Sequence, residues 1–156
     1  MSNHVRIVFI CSGNICRSPM AEAIAQEVME ERGVAGAVIS AGTLGISGRK
    51  PSSTARKALE EREIDPPGTL SQGISPPLME HADHIAVMAP KHRDYLLENV
   101  PAVSQRLVLL WEYADRPLEE ISDPVGENLE TFRRTRDLLY ECIENWLDDL
   151  LDEPSE

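Results

Sequence analysis

The chain has 156 residues, 42% of them hydrophobic and 27% charged, enough for one domain with its own core and without disulfide staples. Its 15 basic against 27 acidic residues leave a net charge of −12, which argues against a general binder of nucleic acid or of anionic membranes. Three cysteines are too few for a disulfide framework and lack the paired spacing of structural zinc, so neither a metal nor another cofactor is expected.

"VRIVFI" (Val5–Ile10) is short, β-branched and apolar, the pattern of a parallel strand covered on both faces. The polar "CSGN" ends it without a small-residue cleavage site, so it reads as a core strand rather than a secretory signal, and a reducing cytoplasm is the expected setting. "SPMAEAIAQEVMEERG" follows as a helix, with Ser18 as N-cap and Pro19 at its first position. Met20, Ala23, Ile24, Val28 and Met29 recur there at helical spacing before Gly33 stops it. "AVIS" (Ala37–Ser40) reads as a second strand and "SSTARKALEERE" (Ser52–Glu63) as a capped helix with Ala55, Ala58 and Leu59 on one face. "HIAVM" (His84–Met88) is a third strand, Pro90 starts a helix over "PKHRDYLLENV", and "RLVLLWEY" (Arg106–Tyr113) is a fourth strand. The last helix, from about Asn128 to Leu150, carries Leu129, Phe132, Arg136, Leu139, Ile143, Trp146 and Leu150 at steps of three and four. Cys142, beside that stripe, reads as a small core residue.

This alternation predicts a single α/β domain over residues 1–150: a doubly wound, Rossmann-like parallel sheet of about four strands with helices on both faces. Residues 151–156 form an acidic tail whose carboxylates oppose the helix dipole and fray the end. Sheets of this kind bind ligands beyond the carboxyl ends of their strands. Residues 11–18 fall at that end of the first strand.

A loop that runs from a strand end into a helix N-terminus gathers unpaired backbone N–H groups and the positive end of the dipole, a seat for a phosphate-like anion. Ser12, Gly13, Asn14, Ile15 and Cys16 would form the cradle, with Gly13 and Asn14 as the residue types that tolerate left-handed backbone. The same field favours an ionised sulfur at Cys11, a nucleophile. Arg17 can close the ring with a planar fork onto two phosphate oxygens, and Ser18 can turn its hydroxyl toward the Cys11 sulfur. A thiolate attacking phosphorus in line under such donors needs no metal. The segment has no Walker or dinucleotide-binding pattern.

"CSGNICRSPMAE" resembles the signature C-x5-R-S-P-M-A-E of the low-molecular-weight protein tyrosine phosphatase family, and "SAGT" (Ser40–Thr43), "ADHIAVM" and "DPVG" (Asp123–Gly126) extend the likeness in order along the chain. The resemblance implies a phosphomonoesterase acting on phosphotyrosine in proteins, with Cys11 forming a cysteinyl-phosphate, Arg17 binding the phosphate and Asp123 as general acid. Expulsion of the leaving group needs a proton, which a carboxylic acid in that position can supply, and Pro124 stiffens its backbone. Asn14, Ser18 and Ser40 would support the loop. Cys16 would trap an oxidised Cys11 in a reversible disulfide.

The chain also departs from the family's tyrosine-specific pattern. Val125 and Gly126 stand where aromatics usually follow the Asp-Pro, so Leu44, Ile46 and Val125 are the expected substrate wall, and "GTLSQGIS" lacks the usual histidine. "MAPKHRDYLL" and "DPVGENLETFRRTRDLL" are more similar to the protein arginine phosphatase branch, whose loop usually carries Thr where Ile15 stands here. Apolar Ile15 favours an aryl phosphate, and phosphoarginine is the alternative. Arsenate reduction would need further cysteines, of which residues 70–100 contain none, and a binding-only module would be expected to lose the nucleophile or the acid. The expected partner is a phosphorylated protein, met by a monomer or a weak dimer.

Among the rest, His4, His81, His84 and His92 show no metal spacing and read as surface or strand-edge residues. Trp111 and Tyr113 read as core or rim. Arg133, Arg134 and Arg136 read as partners of neighbouring acids.

Overall fold

The first apolar run forms β1 (Val5–Cys11), whose last five residues are buried, in a computed structural model that describes residues 4–152. It is followed by α1 (Arg17–Glu31), β2 (Gly36–Gly42), α2 (Ser53–Glu60), α3 (Pro76–His81), β3 (His84–Val87), α4 (Pro90–Asn99), β4 (Leu107–Leu109) and α5 (Leu129–Leu151). The four strands lie in the order β2-β1-β3-β4 and every pairing is parallel. Cys11 pairs with Gly42, and Ile10 with Val87, so β1, β2 and β3 end side by side. The order reverses between β1 and β3, and the crevice at such a switch point is where these sheets take ligands.

α1 packs against α5, α2 joins α5, and α4 packs on β3 and β4. Phe132, Leu139, Cys142, Ile143 and Trp146 of α5 are buried, and Trp146 meets Phe9 edge-on at 6.2 Å. Arg136 shares the buried stripe because its head group is satisfied there. Its Nη1 donates to the Ala58 carbonyl at 2.8 Å and to Glu61 at 3.2 Å, placing a cation at the C-terminal end of α2. Arg133 pairs with the same Glu61. Ser52 and Asn128 cap α2 and α5, accepting from the amides of Ala55 and Thr131 at 3.1 and 3.0 Å.

Two expectations need correction. The fourth strand spans only Leu107–Leu109, and Leu110–Tyr113 coils into a 3-10 turn. An edge strand paired only to β3 is easily abandoned, and the turn buries Leu110 and Trp111 against α5 while Asn145 holds the Tyr113 carbonyl at 2.8 Å. Ser18 is not the cap of α1: the helix begins at Arg17, with Cys16 in the capping position and making no side-chain bond there. α3 has no counterpart among the expected elements: Pro76 and Pro77 occupy its first turn, where no N–H is needed, behind Ser75, whose hydroxyl accepts from Leu78. α5 continues to Leu151, and residues 153–156 of the expected tail lie outside the described residues. Among the described residues no helix is long and apolar enough to cross a membrane.

Candidate active site

The chain between β1 and α1 is shaped by Asn14. Its backbone is left-handed (φ 60°), whereas Gly13 takes no positive φ. Asn14 is buried and its amide binds in three directions: Nδ2 donates to Ser18 Oγ at 2.8 Å and to Ser40 Oγ at 2.9 Å, and Oδ1 accepts from the Gln72 amide at 2.9 Å. Behind it, Ser40 donates to Glu22 Oε1 at 2.6 Å and Thr69 donates to Glu22 Oε2 at 3.2 Å. Burial pushes the Glu22 carboxyl above the usual range, with the two hydroxyl donors opposing. Gly42, at the end of β2, closes the packing: a Cβ there would stand 2.6 Å from the Ser12 carbonyl oxygen and 3.0 Å from the Asn14 nitrogen.

This frame aims two donors at one sulfur. The Asn14 N–H donates to Cys11 Sγ at 3.3 Å, and Ser18 Oγ lies 3.0 Å from it. Ser18 Oγ accepts from Asn14 and keeps its own proton, which it can donate to an ionised sulfur. The second thiol of the loop differs in kind. Burial pushes Cys16 up to about 11 against the opposing Ser52 hydroxyl, so it stays neutral. All three cysteines are free thiols.

Arg17 is buried along its whole length. Its Nη1 donates to the Ile121 carbonyl at 2.9 Å, and its Nη2 lies 3.4 Å from both Ser12 Oγ and Asp123 Oδ2. Its Nε is buried with no partner among the described residues. Asp123 is held in turn by the Val125 amide, 3.1 Å from Oδ1. The buried, partly unsatisfied guanidinium, the sulfur with its donors and a carboxylate at the rim form one arrangement able to take an anion and transfer it.

A profile of the family described as low molecular weight phosphotyrosine protein phosphatase matches residues 6–155. The chain belongs to that family. This phosphatase is 32% identical over 137 residues to a protein-arginine-phosphatase of Bacillus subtilis, covering 88% of this chain and 91% of that one. It is 27% identical to the low molecular weight protein-tyrosine-phosphatase PtpA of Staphylococcus epidermidis, covering 95% and 92%. Among solved structures, a low molecular weight phosphotyrosine phosphatase from Vibrio cholerae superposes with a TM-score of 0.89 at 29% identity, covering 95% and 97%.

Four apolar residues stand beside this loop and the Asp123 turn of the phosphatase. Ile15 and Ile46 both flank Gly13, within 3.6 and 3.7 Å of where a Cβ would stand. Leu44, whose amide bonds the Ser12 carbonyl, is 67% exposed and Val125 is 54% exposed, so both present free apolar surface. Of the residues singled out in the sequence, Cys11, Asn14, Ser18 and Ser40 meet in one network, and Arg17, Ser12 and Asp123 in a second. Trp111 is core rather than rim. Three polar residues of the site are missing from the assignment made on sequence. Glu22 closes the quoted family signature without a role assigned to it, Gln72 supplies an amide from a distant loop, and the sequence reads His92 as a surface or strand-edge residue. His92 is instead fully buried, with Nε2 3.0 Å from Ser12 Oγ.

Proposed function

We propose that this phosphatase hydrolyses phosphotyrosine in proteins through a phosphorylated Cys11. The observation that carries the reading is the buried Arg17, whose Nε has no partner among the described residues, at the end of a loop that brings two polar groups to the Cys11 sulfur. In the first step Cys11 Sγ forms a bond to phosphorus as the bond to the tyrosyl oxygen breaks, and Asp123 gives that oxygen a proton. In the second, water attacks phosphorus, Asp123 takes back a proton, the S–P bond breaks and inorganic phosphate leaves. The amides of the loop from Ser12 to Ser18 and the Arg17 fork stabilise the equatorial oxygens in both steps. Asn14, Ser18 and Ser40 hold the loop in shape, and Cys16 is placed to condense with an oxidised Cys11. Leu44, Ile46 and Val125 form the wall for the substrate ring. A monomer in a reducing cytoplasm fits a mechanism that needs a free thiol.

Phosphoarginine is the second reading, favoured by the identity with arginine phosphatases, whereas the apolar Ile15 and Ile46 beside the cradle favour an aryl group. Two experiments test these readings. Cys11→Ser should abolish turnover of p-nitrophenyl phosphate while leaving the fold intact, and retained turnover refutes the covalent route. The ratio of kcat/KM on phosphotyrosine and phosphoarginine peptides should favour phosphotyrosine in the wild type and move toward phosphoarginine in Ile15→Thr. A wild-type preference for phosphoarginine overturns the substrate choice alone.

A further inference from the structure

His92 is the third residue of α4, the helix that follows β3, so the switch point between β1 and β3 brings it against the loop after β1. Its ring is fully buried. Nε2 lies 3.0 Å from Ser12 Oγ, and Nδ1 has no partner among the described residues. An apolar side chain would fill this space without an unpaired nitrogen, so packing alone does not account for histidine here.

The bond pattern fixes the ring's tautomer. If the proton were on Nδ1, a buried N–H donor would go unmet, which is rarer and more costly than an unmet acceptor. With the proton on Nε2, the ring donates to Ser12 Oγ. Burial first, and then the charges of Arg17 and Lys91, bring His92 down to about 3, so the ring stays neutral beside the guanidinium. Ser12 Oγ also lies 3.4 Å from Arg17 Nη2, which can only donate. With both lone pairs of Ser12 Oγ engaged in this way, its own proton is left to donate.

Resting on the phosphatase reading above, we infer that His92 is a positioning residue of the phosphate cradle: by donating to Ser12 Oγ it turns the Ser12 hydroxyl proton toward the phosphoryl group and steadies the Arg17 arm alongside. Ser12 then binds the substrate through its side chain as well as its backbone. Nη2 of Arg17 also meets Asp123 Oδ2 at 3.4 Å, so one guanidinium nitrogen links this hydroxyl to the acid.

The test is a double-mutant cycle of Ser12→Ala and His92→Phe. It is read as kcat/KM on p-nitrophenyl phosphate and as the inhibition constant of inorganic phosphate, with thermal unfolding checked for each variant. Each single substitution should lower kcat/KM and weaken phosphate inhibition by about tenfold, the scale of one hydrogen bond to a charged group. The double variant should be no worse than either single one, and His92→Gln, whose amide can donate to Ser12 Oγ, should recover part of the loss. Losses that multiply in the double variant, or unchanged phosphate inhibition in folded Ser12→Ala, overturn the inference. Should His92→Phe not fold, His92→Leu supplies the same cycle. Cys11→Ser separates the two levels: if it is inactive and the cycle is multiplicative, the active site stands and only the role of His92 falls.

Discussion

Asn14 joins the backbone strain of the loop to its hydrogen bonds, and the two can be separated by substitution. Asn14→Ala removes the bonds to Ser18 Oγ, Ser40 Oγ and the Gln72 amide. At roughly 1 kcal/mol net for each, that is about 3 kcal/mol. It also asks alanine to hold φ 60°, which adds about 1 kcal/mol. The sum, about 4 kcal/mol, is a large share of the roughly 5–15 kcal/mol that holds a typical domain together. Asn14→Gly loses the same bonds but not the conformational part, so it should be more stable than Asn14→Ala by about 1 kcal/mol. Urea unfolding of the three proteins, compared at equal m-values, gives these differences directly. Both variants should lose kcat/KM steeply, because Ser18 is no longer held to aim its proton at the Cys11 sulfur. An Asn14→Ala protein within about 1 kcal/mol of the wild type, or more stable than Asn14→Gly, would refute the account of the loop.

Asp123→Asn should slow phenyl and alkyl phosphates by about 10²–10⁴ and p-nitrophenyl phosphate much less, giving a steeper dependence on leaving-group basicity; an equal, small effect across the series rejects Asp123 as the acid. Gly42→Ala drives a methyl against the Ser12 carbonyl at 2.6 Å. Displacing the loop by a fraction of an ångström should lower kcat by up to about 10²-fold with a smaller effect on stability, measured by steady-state kinetics beside thermal unfolding. His92 has a folded pKa of about 3 against an ordinary 6.5, so the folded state resists its proton. Its contribution is therefore complete above pH 6.5 and is lost as pH falls toward 3, at about 1.4 kcal/mol per pH unit, or about 2 kcal/mol by pH 5. His92→Gln should flatten the acid limb of stability by that difference in urea titrations at pH 7 and pH 5, and parallel curves would show that the ring does not titrate on unfolding.

The parts of the molecule governed by local rules could be read from the chain. The five buried residues of β1, the capped start of α2 and the buried stripe of α5 follow from periodicity and capping chemistry, and the place of the loop follows from a strand end meeting a helix start. What escaped depends on distance along the chain. Whether Leu110–Tyr113 extends or turns is decided by α5, and the strand propensity of "RLVLLWEY" holds no trace of that. His92 lies 80 residues from its partner Ser12, and Gln72 lies 58 from Asn14, so neither pairing leaves a mark in a local window. Ser18 illustrates a competition between rules: a residue suited to cap a helix is used to orient a sulfur instead, and α1 starts without a side-chain cap. His92 was misread because a lone histidine in a polar helix looks solvated until the sheet order is known.

The pairing of Asp123 with Arg17 at 3.4 Å has a consequence for turnover. Every incoming anion must evict a tethered carboxylate from the guanidinium edge, so the cell's standing pool of free phosphate competes against an internal rival that is always present at high local concentration. Any advantage of a substrate over free phosphate must therefore come from contacts beyond its phosphoryl group. The rivalry itself lowers the affinity of both by the same factor, and it helps to clear the pocket after each cycle.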